Sequence, residues 1–348
     1  MKNFIEHGVR IRKNAEKNYY SVWMNLETIR LDLGNEKALE PERSEFYDVG
    51  ITERCNAVCP FCYVSADNSR KDYTGIVETW KRWMDTFPKD TPIDILHDKT
   101  FREELLKPTP GEGPQELEIR LKLLFYIKKN LPIVYTEKPT QIAIGSVGEP
   151  TIHPDLPKFL QAVYESDVVP NYTTNGVLLS GDKGDEVMEA TRNFCGGVAV
   201  SYGNKSLRDQ ANKAIENLLK NGECKVMIHH IIEDKNSVDD LTGTVDKWGK
   251  DIHYHVLLPL MKHGRSDKEM NTETYLYLME QLSEKDIKNV AFGANFAPFM
   301  KENSTGKIDV WEYPQEIYSK NILLKNGEVI ITPSSFNLEV IKTIKLWQ

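Results

Sequence analysis

The sequence predicts an α/β protein arranged as an open, partial (β/α)6 barrel, preceded by an N-terminal hairpin extension and followed by a C-terminal α/β appendage. Three observations carry this. Short runs rich in Val, Ile and Tyr alternate with amphipathic helical runs between about residues 45 and 270, and strands separated by helices imply parallel pairing through right-handed crossovers. Six such β/α units can be counted. The glycine-rich and polar motifs stand just after strand runs, where a parallel sheet places its sites.

The first unit opens with EFYDVGIT, residues 45–52, a strand running into a cysteine-bearing loop. A helix follows over 74–87, with Ile76, Trp80, Trp83 and Met84 on one face. Further strands are expected over 141–144, 168–173, 197–201, 225–232 and 252–260, and helices over 156–166, 185–194, 206–221 and 237–250. Ahead of this, SVWMNLETIRL at 21–31 reads as a small hairpin in an extension spanning 1–44. Residues 88–139 interrupt the rhythm with the turn KPTPGEGP and a helix over 115–130, and are read as an insertion. Beyond 270, a helix over 272–283 opens the appendage 271–348, in which NILLKNGEVIITP forms a hairpin turning at Asn326–Gly327.

With 40% hydrophobic and 28% charged residues the chain has the composition of a globular protein. A net charge of -8 argues against broad binding to a phosphate backbone, so nucleic acid is demoted as a partner, with a local basic groove left open. No apolar run is long enough to span a bilayer, and the first 17 residues carry charges where a signal peptide needs an apolar core. The expectation is a cytoplasmic protein with no membrane partner.

Five cysteines are present, three of them within eight positions. The segment CNAVCPFCY sets Cys55, Cys59 and Cys62 on one short loop, three residues and then two between them. Three thiolates on a four-iron cluster leave one iron free to chelate a small molecule. A structural zinc site is the first alternative, but zinc wants a fourth Cys or His nearby. His97 and His153 are distant, and there is no second CxxC. Buried inert thiols are the other alternative, and this spacing beside charged residues does not favour them.

CxxxCxxC after the first strand, with the aromatic Phe61 before Cys62, resembles the radical S-adenosylmethionine (SAM) superfamily. Gly148-Glu149-Pro150 after the second strand is similar to its GGEP motif, and Thr173-Thr174-Asn175-Gly176 after the third to its TTNG turn. Ser201 ends the fourth strand and Leu257-Leu258-Pro259-Leu260 the sixth, where similar enzymes touch SAM. The resemblance covers residues 45–265 and is specific as an ensemble. Two departures stand out: Val147 replaces the first glycine of GGEP, and 86 positions (148 minus 62) separate Cys62 from Gly148.

The resemblance implies one [4Fe–4S] cluster on Cys55, Cys59 and Cys62, and SAM against Phe61, Gly148, Glu149, Thr174, Asn175, Ser201 and Leu258. It also implies reductive cleavage of SAM to a 5′-deoxyadenosyl radical that abstracts a substrate hydrogen, with a reductase or a flavodoxin- or ferredoxin-type electron donor. The appendage and hairpin favour a peptide or protein side chain as substrate. The alternatives are a nucleotide, nucleobase or RNA, and a non-catalytic Fe–S or zinc protein. No cysteine follows Cys224, so Cys195 and Cys224 read as small buried hydrophobes and a second cluster is not expected. His229, His230, His253 and His255 lie on the fifth and sixth strands; period-2 geometry puts His253 and His255 on one face, and packed histidines are the preferred reading. Arg265 could bind an anion bidentately or be a solvated surface residue.

Overall fold

The described residues of the computed structural model are 9–14, 19–24, 27–32, 44–92, 121, 125, 133–221, 224–287, 289–303, 319–333, 340 and 342–346. They hold two sheets. In the larger, the strands follow as β4 (Phe46–Gly50), β7 (Gln141–Ile144), β8 (Val169–Thr174), β9 (Gly197–Ser201), β10 (Lys225–Ile232), β11 (Tyr254–Pro259) and β12 (Val290–Phe292), all parallel. The smaller contains β1 (Val9–Asn14), β2 (Tyr19–Met24), β3 (Glu27–Asp32), β5 (Thr91–Pro92) and β6 (Ile133–Tyr135).

The helices between the parallel strands are α1 (Ile76–Met84), α2 (Leu156–Glu165), α3 (Asp185–Phe194), α4 (Arg208–Asn221) and α5 (Lys235–Trp248); α6 (Thr272–Glu284) and α7 (Ala297–Asn303) flank β12. Helix α1 shows why they pack. Ile76, Thr79, Trp80, Trp83 and Met84 recur at helical spacing and are buried. Trp80 and Trp83 meet Phe159 and Tyr47 edge-on, with ring centroids 5.9 and 5.0 Å apart. The helix–sheet layer is the main core, and truncating Trp80 to Ala costs about 3–5 kcal/mol.

Beyond the six expected strands, β12 adds a seventh in parallel; its three residues, VAF, are too short to raise a clear β signal in the sequence. On the other side of β4, the hairpin β13 (Ser319–Lys325) and β14 (Glu328–Thr332) joins the same sheet, β13 running parallel to β4. β15 (Lys342–Lys345) completes a linear order of ten strands from β12 to β15. Asn326 and Gly327, both at positive φ, make the expected turn. That turn covers the start of α1: the Thr74 hydroxyl donates to Asn326 Oδ1 at 2.6 Å, and the Gly327 N–H to Thr79 Oγ1 at 3.1 Å.

The expected hairpin at 21–31 is present as β2 and β3, extended by β1. β6, from within 88–139, pairs in parallel with β1, so the two segments share one sheet. Residues 93–120, with the turn 107–114, lie outside the described residues, as does most of 115–130. Buried arginines tie this sheet to the larger one. Arg10 binds the Asp90 carboxylate at 2.8 Å and the Asp167 carbonyl, and Arg12 donates to the Ser44 carbonyl at 2.7 Å. Ser44 and Asp167 precede β4 and β8, so the small sheet sits at the N-terminal ends of the parallel strands.

Candidate functional site

The cysteine loop leaves the C-terminal end of β4 and is closed by short ladders. The Cys55 N–H donates to the Asp67 carbonyl at 2.9 Å and the Glu53 N–H to the Lys71 carbonyl at 3.1 Å. Arg54 pins the loop laterally, binding the Asp72 carboxylate at 2.7 Å and the Ile152 carbonyl at 2.9 Å. Within it the Cys62 N–H donates to the Cys59 carbonyl, and all three cysteines are half-buried. Three amides point at the sulfurs: Ala57 N–H lies 3.4 Å and the Asn175 side chain 4.0 Å from Cys55 Sγ, and the Asn204 side chain 3.3 Å from Cys59 Sγ. Burial pushes the Cys55 thiol up to about 11 against the Ala57 hydrogen bond, and Cys59 moves up for the same reason. A bound cation would therefore have to displace protons.

Among the described residues no three Cys, His, Asp or Glu side chains converge tightly enough for a single metal ion. A multi-iron cluster spaces its thiolates more widely than one ion does, and three half-exposed sulfurs on one loop, approached by N–H donors, fit that group. His153 is no nearby fourth ligand: it is buried, Nε2 lying 2.9 Å from the Tyr73 carbonyl while Nδ1 accepts from the Asp155 N–H. His97 lies outside the described residues.

The Gly-Glu-Pro turn after β7 packs directly on this loop. Gly148 has φ +93°, and a Cβ there would lie 2.6 Å from the Arg54 carbonyl and 2.7 Å from that of Thr52, so only glycine fits. The Val147 departure is met by an exchange of size: its Cγ2 would lie 2.5 Å from a Cβ on Gly50. Glu149 is buried; its Oε1 accepts from the Thr151 and Thr174 hydroxyls at 2.6 and 2.8 Å, and its Oε2 from the Asn175 N–H at 2.7 Å. Desolvation raises its pKa and these donors oppose the shift. Asn175 then reaches the cysteine loop, its amide donating to Asn56 Oδ1 at 2.7 Å. The motifs after β4, β7 and β8 thus form one hydrogen-bonded unit.

Phe61, Ser201 and Leu258 are half-buried at the same end of the strands. Phe61 lies over Gly203, where a Cβ would be 3.1 Å from the ring, and lines a pocket of about 90 Å3 with Tyr202, Arg208 and His230. The Arg208 guanidinium stacks 4.1 Å from the Tyr202 ring centroid. Leu258 packs against Gly293.

Strand alternation sorts the histidines. On β10, Val226, Ile228, His230 and Ile232 are buried, the first two in the helix-facing core, while Met227, His229 and Ile231 face the other way. His230 and His255 form a packed pair on the helix side, Nε2 to Nδ1 at 3.0 Å. The shared face expected for His253 and His255 does not arise, because β11 begins only at Tyr254 and His253 is exposed. His229 is the histidine on the open face, level with Ser201 in the pairing register, and desolvation lowers its pKa to about 4. Asp48 on β4 shares that face, and its carboxylate has no hydrogen bond or ion pair to a described residue; desolvation raises its pKa to about 6. Sequence reading missed Asp48 and Asn204, which belong to no motif; an Asn just past a strand end, capping a following turn, was the one available signal for Asn204. Cys195 is buried in the core and Cys224 packs at its edge.

No protein-family model and no curated protein matches the chain. Solved structures do. Streptococcus suis SuiB bound to the precursor peptide SuiA matches with a TM-score of 0.54 and 15% identity over 85% of this chain. SuiB bound to S-adenosylmethionine matches with a TM-score of 0.52 and 14% identity over 84%. The chain spans 61% of the length of SuiB. The shared feature is the fold: an α/β architecture around a mostly parallel sheet.

Proposed function

We propose that this chain is a radical SAM enzyme acting on a peptide or protein side chain. The observation that carries the reading is the Asn175 bridge, which joins the cysteine loop, Glu149 and the turn after β8 at one end of adjacent parallel strands. In this reading Cys55, Cys59 and Cys62 hold one [4Fe–4S] cluster, and Phe61, Gly148, Glu149, Thr174, Asn175, Ser201 and Leu258 form the SAM wall. Residues 45–270 make the catalytic unit, its sheet curving into an open six-unit barrel between the extension 1–44 and the appendage 271–348.

When bound, the reduced cluster supplies the electron that cleaves SAM to methionine and a 5′-deoxyadenosyl radical. The chain positions and shields. Asn204 and Ala57 direct N–H donors at Cys59 and Cys55, Gly148 lets the Glu149 turn approach the loop, and Thr174 fixes Glu149. Phe61 covers one side, and Ser201 and His229 face the open side of the sheet. A peptide substrate is supported by the fold shared with SuiB, which was crystallised with a precursor peptide.

The test is anaerobic reconstitution with iron and sulfide, reduction with dithionite and assay of SAM conversion to 5′-deoxyadenosine. The expected result is product formation that disappears in Cys55→Ala, Cys59→Ala and Cys62→Ala. An intact cluster without 5′-deoxyadenosine would favour a non-catalytic Fe–S protein and overturn the enzymatic reading.

A further inference from the structure

The loop that follows β11 returns to the cysteine loop and holds it by backbone contacts. Leu260 is fixed to the sheet by its N–H bond to the Ile232 carbonyl at 2.8 Å. Five residues on, the Arg265 N–H donates to the Cys62 carbonyl at 3.0 Å, while its guanidinium donates to the Cys59 carbonyl at 3.2 Å and the Ala66 carbonyl at 2.6 Å. Gly264, at φ +62°, lets this happen: a Cβ there would sit 2.3 Å from the Cys62 carbonyl and 2.4 Å from that of Tyr63. Arg265 has no carboxylate at ion-pair distance among the described residues. Its positive charge acts on the Cys59 thiol as well as on the Asp67 carboxylate, and its fork caps the Cys59 and Ala66 carbonyls on either side of Cys62.

We propose that Arg265 is a positioning residue for the cluster: it clasps the cysteine loop into thiolate-presenting shape before iron arrives and lends its charge to the reduced state. This rests on the Fe–S reading above. The clasp also joins the end of β11, where Leu258 stands, to the loop after β4, so the strands at either side of the site are coupled through the backbone and side chain of one residue. The anion-binding role open to Arg265 in the sequence is displaced by these carbonyl contacts.

The experiment uses the full chain in two states. In the metal-free protein, hydrogen exchange of residues 55–66 is compared between wild type, Arg265→Ala and Arg265→Lys. Loss of the fork is expected to speed exchange there about tenfold, with lysine restoring little of it. In the reconstituted protein, an EPR-monitored redox titration is expected to give a more negative cluster potential for Arg265→Ala, because removing a nearby cation disfavours the added electron. Should Arg265→Ala fail to fold, Gly264→Ala disturbs the same turn through its Cβ and is expected to give the same exchange signature, against a neutral Gly243→Ala control with nothing within 4 Å. Unchanged exchange and unchanged potential overturn the proposal, as does full rescue of exchange by lysine. If wild type takes up no cluster, the Fe–S reading fails on its own, and the metal-free exchange still decides the clasp.

Discussion

The Asn204 side-chain amide lies 3.3 Å from Cys59 Sγ while its own Oδ1 accepts from the N–H and hydroxyl of Ser206. Those two acceptor bonds fix which way the amide faces, so its N–H donors point at the sulfur. A hydrogen bond to a charged acceptor contributes about 1.5–3 kcal/mol. Asn204→Ala is therefore expected to lower the cluster potential and slow SAM cleavage about tenfold or more, whereas Asn204→Asp, which sets a like charge against a thiolate, abolishes cleavage. Redox titration of Asn204→Ala decides it, and a potential equal to wild type counts against the contact.

Glu149 is the buried tie between two turns. Glu149→Gln replaces one acceptor by a donor facing hydroxyls and N–H groups, and is expected to cost about 2–4 kcal/mol and to remove SAM cleavage. Thermal unfolding and the 5′-deoxyadenosine assay check the two halves separately; wild-type values in both would mean that the tie is dispensable.

Two glycines give opposite expectations for the same substitution. Gly148→Ala drives a methyl into the Arg54 and Thr52 carbonyls at positive φ, and is expected to destabilise by several kcal/mol and expel the loop. Gly181→Ala meets nothing within 4 Å and should be close to neutral. The comparison needs only melting curves.

Asp48 gives a pH signature. Its folded pKa is raised from 3.8 to about 6, so the folded state holds a proton that the unfolded state has lost. Stability then falls as pH rises from about 4 to 6 and stays lower above that window. Two pKa units correspond to about 3 kcal/mol, an upper bound for a half-buried group. Asp48→Asn is expected to melt higher than wild type at pH 7.5, with the gap closing toward pH 4.5. A gap that does not change with pH would show that the carboxylate is not desolvated.

The six parallel strands and their loops were legible because period-2 and helical patterns are local, and because loop chemistry follows strand ends. The turn at Asn326–Gly327 was legible for the same reason, needing only two residues suited to positive φ. What the sequence did not reveal depends on contacts across the chain. Nothing in VAF announces β12, and nothing in the final hairpin says that it will pair with β4 rather than fold apart. The exchange of bulk between Gly50 and Val147 spans 97 positions (147 minus 50) and is visible only in space. His229 and His230 are neighbours on one strand and alternation alone parts them, but the pairing of His230 with His255 across to β11 is visible only in space.

The position of the small sheet has one more consequence. It is joined to the N-terminal ends of the parallel strands, and the cysteines lie beyond their C-terminal ends. β8 alone is 6 residues long, so at about 3.3 Å per residue the two regions are separated by roughly 20 Å. If the small sheet grips one end of a peptide, it acts as a ruler. The residue reached by chemistry would then be set by counting at least six positions from the gripped segment, so moving it nearer by deletion should silence it without weakening the grip.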